Sequence, residues 1–67
     1  MKLGVLDIGS DKICCLIAVI EKDNQPKIEG IGYRDSRGIK SGIITDMELA
    51  QTSITSAIQA AEKMSEV

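Results

Sequence analysis

Sixty-seven residues make one domain at most, and a chain of this size buries only about 60% of the surface its unfolded form exposes, so any core is marginal. Ten acidic residues against eight basic ones, no histidine and a single aromatic, Tyr33, supply neither the basic stripe nor the stacking platform of nucleic-acid binders. The longest apolar run, Ile13 to Ile20, is far short of the roughly 20 residues that span a bilayer, and Asp7 interrupts what would be the apolar region of a signal peptide. A cytoplasmic chain without a nucleic-acid partner is expected.

In chain order, Lys2–Ile8 and Lys12–Glu21 are rich in Val, Ile and Leu and predict two strands, joined by the short Gly9-Ser10 connection that favours a hairpin. "EKDNQPK", residues 21 to 27, clusters turn formers, with Pro26 fixing one backbone angle. A third strand is expected over Lys27–Arg34, and "DSRGIKSG", residues 35 to 42, reads as a polar loop with two glycines. After Ile43-Ile44 a helix opens. Thr45 with Glu48 fits a capping box, and Asp46 is an alternative cap. From there Met47, Ala50, Ile54, Ala57, Ile58, Ala61 and Met64 recur at spacings of three and four, which gives a helix over residues 46 to 65 with one apolar face. The fold class is α/β: a three-stranded antiparallel sheet in the order one, two, three, with one long helix across one face.

The strand faces carry more. Cys14, Leu16, Ala18 and Ile20 lie on one side of the second strand, and Ile13, Cys15, Ile17 and Val19 on the other, so both sides are apolar, as in a strand covered from above and below. Lys27, Glu29 and Arg34 mark the third strand as an edge. One helix covers one face, which is half of what the middle strand requires. Glu66 stands near the helix C-terminus, where the macrodipole favours a cation, and no glycine cap follows. These residues are expected to be the opening part of a larger protein, and the isolated chain is expected to self-associate through its uncovered face. Cys14 and Cys15 point to opposite faces, so they are poorly placed to share a metal ion or form a relaxed disulfide, and they read as small core residues.

The candidate site is the first turn. Asp7 ends a strand and could hold a hydrated Mg²⁺ ion, Gly9 permits positive φ and close approach to the backbone, and the successive N–H groups of Ser10, Asp11 and Lys12 can form an anion-binding nest. The Lys12 side chain could reach an oxyanion. An ordinary hairpin turn is the competing reading of the same residues. Arg37 and Lys40 read as solvated charges. No catalytic residue is assigned.

Two stretches carry a resemblance. "LDIGSDK", residues 6 to 12, is similar to the first phosphate motif of the actin, sugar-kinase and heat-shock-chaperone superfamily, in which two antiparallel strands flank a D-x-G turn. "SRGIKSGIITDMELA", residues 36 to 50, resembles the segment leading into the first helix of the FtsA family of actin-like bacterial cell-division proteins. The resemblance implies that residues 1 to 67 are the N-terminal, incomplete portion of an actin-like (ribonuclease-H-like) ATPase subdomain. It implies ATP and Mg²⁺ as cofactors of the intact protein. Asp7 would act on the metal through water, Gly9 would form the tight turn, and the N–H groups of Ser10, Asp11 and Lys12 would meet the β- and γ-phosphates. Asp11 departs from the pattern, since relatives usually carry a small neutral residue there. The family further implies self-polymerisation, a link from the tubulin-like FtsZ to the inner face of the cytoplasmic membrane through a C-terminal helix, weak ATPase activity at most, and no catalysis by this stretch alone. The alternatives are another actin-fold protein, such as a pilus-assembly relative, sugar kinase or chaperone, or a protein-interaction module that binds no nucleotide.

Overall fold

Runs of β-branched and leucine side chains on either side of a four-residue polar interruption favour two strands folded back on each other, and a computed structural model of the chain has that arrangement. It describes residues 1–22 and 25–65. Strands β1 (Lys2–Ile8), β2 (Lys12–Ile20) and β3 (Pro26–Asp35) form an antiparallel sheet in the order β1-β2-β3, with β2 in the middle as expected. Strand β2 ends one residue earlier than its sequence suggests. Strand β3 starts one residue earlier, with Pro26 inside it, where an edge strand's first position tolerates the missing N–H. Asp23 and Asn24 of the expected turn, and Glu66, lie outside the described residues.

The segment read as a polar loop is corrected: Ile39–Lys40 (β4) and Ile43–Ile44 (β5) pair as a short antiparallel hairpin. Its turn is Ser41-Gly42, with φ of 52° and 77°. Positive φ at both central residues is the type I′ geometry that matches strand twist. The hairpin's base is tied down at Gly38, whose carbonyl accepts the N–H groups of Thr45 (2.7 Å) and Asp46 (3.1 Å).

Asp46 then caps helix α1 (Met47–Ser65): its Oδ1 accepts the Leu49 N–H at 3.0 Å, satisfying one of the four donors that a helix start leaves open. The choice between Thr45 and Asp46 resolves to Asp46. The helix lies over β2 and β3. Ile13, Cys15, Ala57 and Ala61 form the core, with Ile17, Ile39, Ile54 and Ile58 packed around them. Ile13 is completely buried, which is worth about 1.5–3 kcal/mol relative to exposure. The expected apolar stripe is longer than the surface it covers: Met47 and Met64, at its ends, are 68% and 53% exposed.

Two glycines on β3 set the contact distance. A Cβ on Gly32 would sit 1.8 Å from the Ala57 carbonyl oxygen, and one on Gly30 would sit 2.1 Å from that of Ala61. Strand backbone therefore rests directly on helix backbone. Between Ile17 and Ala18 of β2 the register skips Glu29, so β3 carries a one-residue bulge there.

The opposite sheet face has no cover among the described residues. By register it carries Leu3 and Val5 of β1, Leu16 and Ala18 of β2, and Ile28, Ile31 and Tyr33 of β3, and Leu3, Val5, Ile28, Ile31 and Tyr33 are all exposed.

Candidate functional site

The β1–β2 turn closes through the Gly9 N–H, which donates to the Lys12 carbonyl at 3.0 Å. Gly9 is not one of the positive-φ glycines, which are Gly38 and Gly42, so the expectation that it supplies a left-handed angle is corrected. What Gly9 supplies is space, since a Cβ there would stand 3.0 Å from the Lys12 carbonyl oxygen. Across the tip, the N–H groups of Ser10 and Asp11 have no acceptor among the described residues. Exposed donors side by side at a turn are the elements of an anion nest.

Three consecutive residues, Ser10 to Lys12, are held by the last residue of β3 and the segment that follows it. The Gly42 N–H donates to Ser10 Oγ at 3.0 Å. The Ser36 N–H donates to the Asp11 carbonyl at 2.9 Å. The Lys12 ammonium pairs with the Asp35 carboxylate, and its Nζ lies 6.0 Å from the centre of the Tyr33 ring. That pairing, first by hydrogen bond and then by charge, raises the Lys12 pKa above its ordinary value and lowers that of Asp35. The Lys12 side chain is thus engaged with Asp35, while the turn N–H groups of Ser10 and Asp11 have no acceptor among the described residues.

Asp7 pairs in register with Cys14, which in turn faces Tyr33, so Asp7, Lys12, Tyr33 and Asp35 share the turn end of the uncovered sheet face. Among the described residues no group of three metal-ligating side chains comes together. One carboxylate is a donor set suited to a hydrated Mg²⁺ ion that takes its remaining ligands from water and phosphate, not to a protein-only cage. Arg37 donates its backbone N–H to Ser53 Oγ at 3.1 Å, bringing the chain alongside α1, and Lys40 lies in the β4–β5 hairpin. Cys15 is buried and Cys14 half-buried, both as free thiols. Burial, then the neighbouring Cys14 and Glu62, pushes the Cys15 thiol pKa up, which fits a packing role. A hollow of about 770 Å³, lined by Met1, Val19, Ile20, Glu21 and Lys22, is at the other end of the β1–β2 pair.

Sequence reasoning placed the turn residues together and missed what holds them. The contacts from Asp35, Ser36 and Gly42 span more than 20 positions, and only the Ser41-Gly42 pair, a favourable hairpin turn, carried a local signal.

No family-wide sequence model matches the chain. Individual curated proteins do match it. Over 60 residues, 90% of this chain, it is 42% identical to a protein of Borreliella burgdorferi named cell division protein FtsA. Proteins of the same name from Neisseria meningitidis and Pseudomonas aeruginosa are 34% identical over 64 residues and 39% identical over 59, covering 96% and 88% of the chain. Along the stretch it spans, the chain belongs to the FtsA family. It accounts for 14%, 16% and 14% of the length of these three FtsA relatives. The match takes in nearly all of the sheet, the turn and the helix, so this strand–turn–strand unit and its braced hairpin belong to the FtsA-like stretch. No described helix is long and apolar enough to cross a membrane.

Proposed function

We propose that this chain is the opening, incomplete portion of an actin-like ATP-binding subdomain in an FtsA-type cell-division protein, and that its β1–β2 turn is one jaw of the nucleotide site. The observation that carries the reading is the pair of unpartnered N–H groups at Ser10 and Asp11, on a turn made tight by Gly9, in a chain that matches FtsA. In this reading the N–H groups of Ser10, Asp11 and Lys12 meet the β- and γ-phosphates, and Asp7 holds a hydrated Mg²⁺. The metal supplies charge neutralisation of the phosphates. Asp11 adds a second carboxylate, which phosphate oxygens repel unless it turns away or toward the metal. The turn is open to water, and ligand sites usually bury most of their ligand, so this chain alone binds ATP weakly or not at all and performs no catalysis.

At the level of the whole protein, the reading gives a cytoplasmic protein peripheral to the inner membrane face, with FtsZ and further copies of itself as partners. The isolated chain self-associates through its exposed sheet face and the open edge of β1.

Calorimetry on the full-length protein tests the site. Gly9→Val is expected to abolish Mg-ATP binding, because a branched side chain forces the Lys12 carbonyl out of the turn and intrudes where phosphate would lie. Asp7→Ala is expected to weaken binding in a Mg²⁺-dependent manner, and Arg37→Ala to leave it unchanged. Wild-type affinity retained by a folded Gly9→Val protein would mean that the turn is only a hairpin.

A further inference from the structure

The β4–β5 hairpin reaches across to the turn through the Gly42 N–H, which donates to Ser10 Oγ. A serine hydroxyl carries one donor proton and two acceptor lone pairs, and it rotates among three staggered positions when unrestrained. Accepting a hydrogen bond removes most of that freedom. It also polarises the hydroxyl, so that its own proton becomes a stronger donor to a third group.

We propose that the hairpin is a positioning element for Ser10, with Gly42 as the positioning residue: its N–H fixes the Ser10 hydroxyl so that the hydroxyl proton is delivered to a phosphoryl oxygen held by the turn. This inference rests on the phosphate-holding reading of the turn given above. The architecture around Gly42 suits that task. The hairpin tip is a two-residue turn with positive φ at both Ser41 and Gly42, a geometry that matches the twist of the paired strands. Its base is locked to α1 through the Gly38 carbonyl, which holds Thr45 and Asp46, and through the Arg37 N–H on Ser53. Gly38 has no room to move closer, since a Cβ there would lie 2.3 Å from the Asp46 carbonyl oxygen. The neighbouring tethers, Ser36 to Asp11 and Asp35 to Lys12, fix the turn's other two residues and leave the Ser10 rotor to the hairpin alone. A continuous path of contacts thus runs from the helix start through Gly38 and the hairpin to Ser10.

The test is a double-mutant cycle on the full-length protein, with Mg-ATP binding read by calorimetry. Gly42→Ala meets no atom within 4 Å, so its effect is confined to the strain of a side chain at φ 77° and the consequent shift of the N–H. It is expected to lower affinity about tenfold when Ser10 is present and less than twofold in a Ser10→Ala background, as for groups that act through one hydrogen bond. Gly42→Asn, which keeps the N–H and tolerates the left-handed region, is expected to bind like the wild type. By NMR, the Gly42 amide proton should move downfield when Mg-ATP binds to the wild type and stay in place in Ser10→Ala, a response that a purely structural brace would not give. Additive losses in the cycle, or an unmoved Gly42 amide in a wild type that binds, would overturn the positioning role while leaving the nucleotide site standing. A folded wild type that binds no Mg-ATP would overturn the nucleotide reading and this inference with it.

Discussion

The two edge strands of the same sheet are built on opposite principles. Strand β3 is covered on one face by α1, carries Pro26, Lys27, Glu29, Arg34 and Asp35 along its length, and is bent by a bulge at Glu29, all of which discourage another strand from pairing with it. Strand β1 has every residue exposed and no bulge, and only Lys2 and Asp7 carry charge; even on the helix side Leu6 and Ile8 are bare and nothing comes within 4 Å of where a Gly4 side chain would begin. Burial in this chain is therefore concentrated where helix and strand backbones touch. The difference teaches that, among the described residues, β3 has a guarded edge and one covered face, and β1 has neither.

The glycines of the two strands give the strongest test of that contrast. Gly32→Ala drives a methyl group into the Ala57 carbonyl and should destabilise the chain by about 3 kcal/mol or more, enough to leave little helix by circular dichroism. Gly4→Ala, the same chemical change on β1, should stay within about 0.5 kcal/mol of the wild type. Equal effects at the two positions would erase the distinction between the strands.

Next in size is the open edge. The wild-type chain should sediment above its 7.2 kDa monomer mass at concentrations in the tens of micromolar, on the order of a transient interface's dissociation constant. Val5→Lys, which places a charge in the middle of β1, should return most of the material to monomer. A strictly monomeric wild type would refute self-association.

The smallest effect is expected at the polar end of β3. Asp35→Asn removes the partner of Lys12, an exposed pair whose stabilisation is modest. Because the Asp35 pKa is lowered by folding, its contribution is complete above the ordinary aspartate value of 3.8 and disappears as pH falls through the lower folded value. The Lys12 pKa is raised, so on the alkaline side the contribution is complete below 10.5 and lost as pH rises through the raised value. Urea unfolding of wild type and variant should differ by a small constant amount between those limits and converge outside them. A difference that changes near neutral pH would point to some other group.

The sheet order and the helix were legible because their signals are local. Apolar runs of seven to nine residues separated by a short turn specify a hairpin, and spacings of three and four specify a helix face. The β4–β5 hairpin was not legible, since strands of two residues show no alternation and Lys40 and Ser41 made the stretch look like a solvated loop. Gly30 and Gly32 carry no signal of their own in the alternation of β3, whose charged residues mark its edge character. Yet glycines two apart on a strand match alanines four apart on a helix, Ala57 and Ala61, and that pairing is visible in the sequence once a close backbone contact is sought. Of the candidate site, the turn's residue set was legible. Of the two reasons for Gly9, positive φ does not hold and closeness to the backbone does, since tight quarters with Lys12 leave the same trace in a sequence as positive φ does. The tethers to Asp35, Ser36 and Gly42 depend on where the chain returns in space, which no local pattern records.

The bulge on β3 bears on which changes of length this stretch of chain can absorb. Ten residues of β3 run beside nine of β2, and Glu29 is the one without a register partner. Its side chain reaches Lys2 at 3.4 Å and accepts the Ser65 hydroxyl at 3.5 Å, both at the exposed surface. Loss of the Glu29 codon would join Ile28 to Gly30 with each still opposite its present neighbour on β2, so that both glycines keep facing the helix. Loss of the Ile31 codon, two positions later, would also remove the bulge, but it would move Gly30 opposite Leu16 and put Glu29 opposite Ile17, presenting the Glu29 side chain to the helix where Gly30 now lies. Within a single strand, one in-frame deletion is thus nearly silent and its near neighbour undoes the fold.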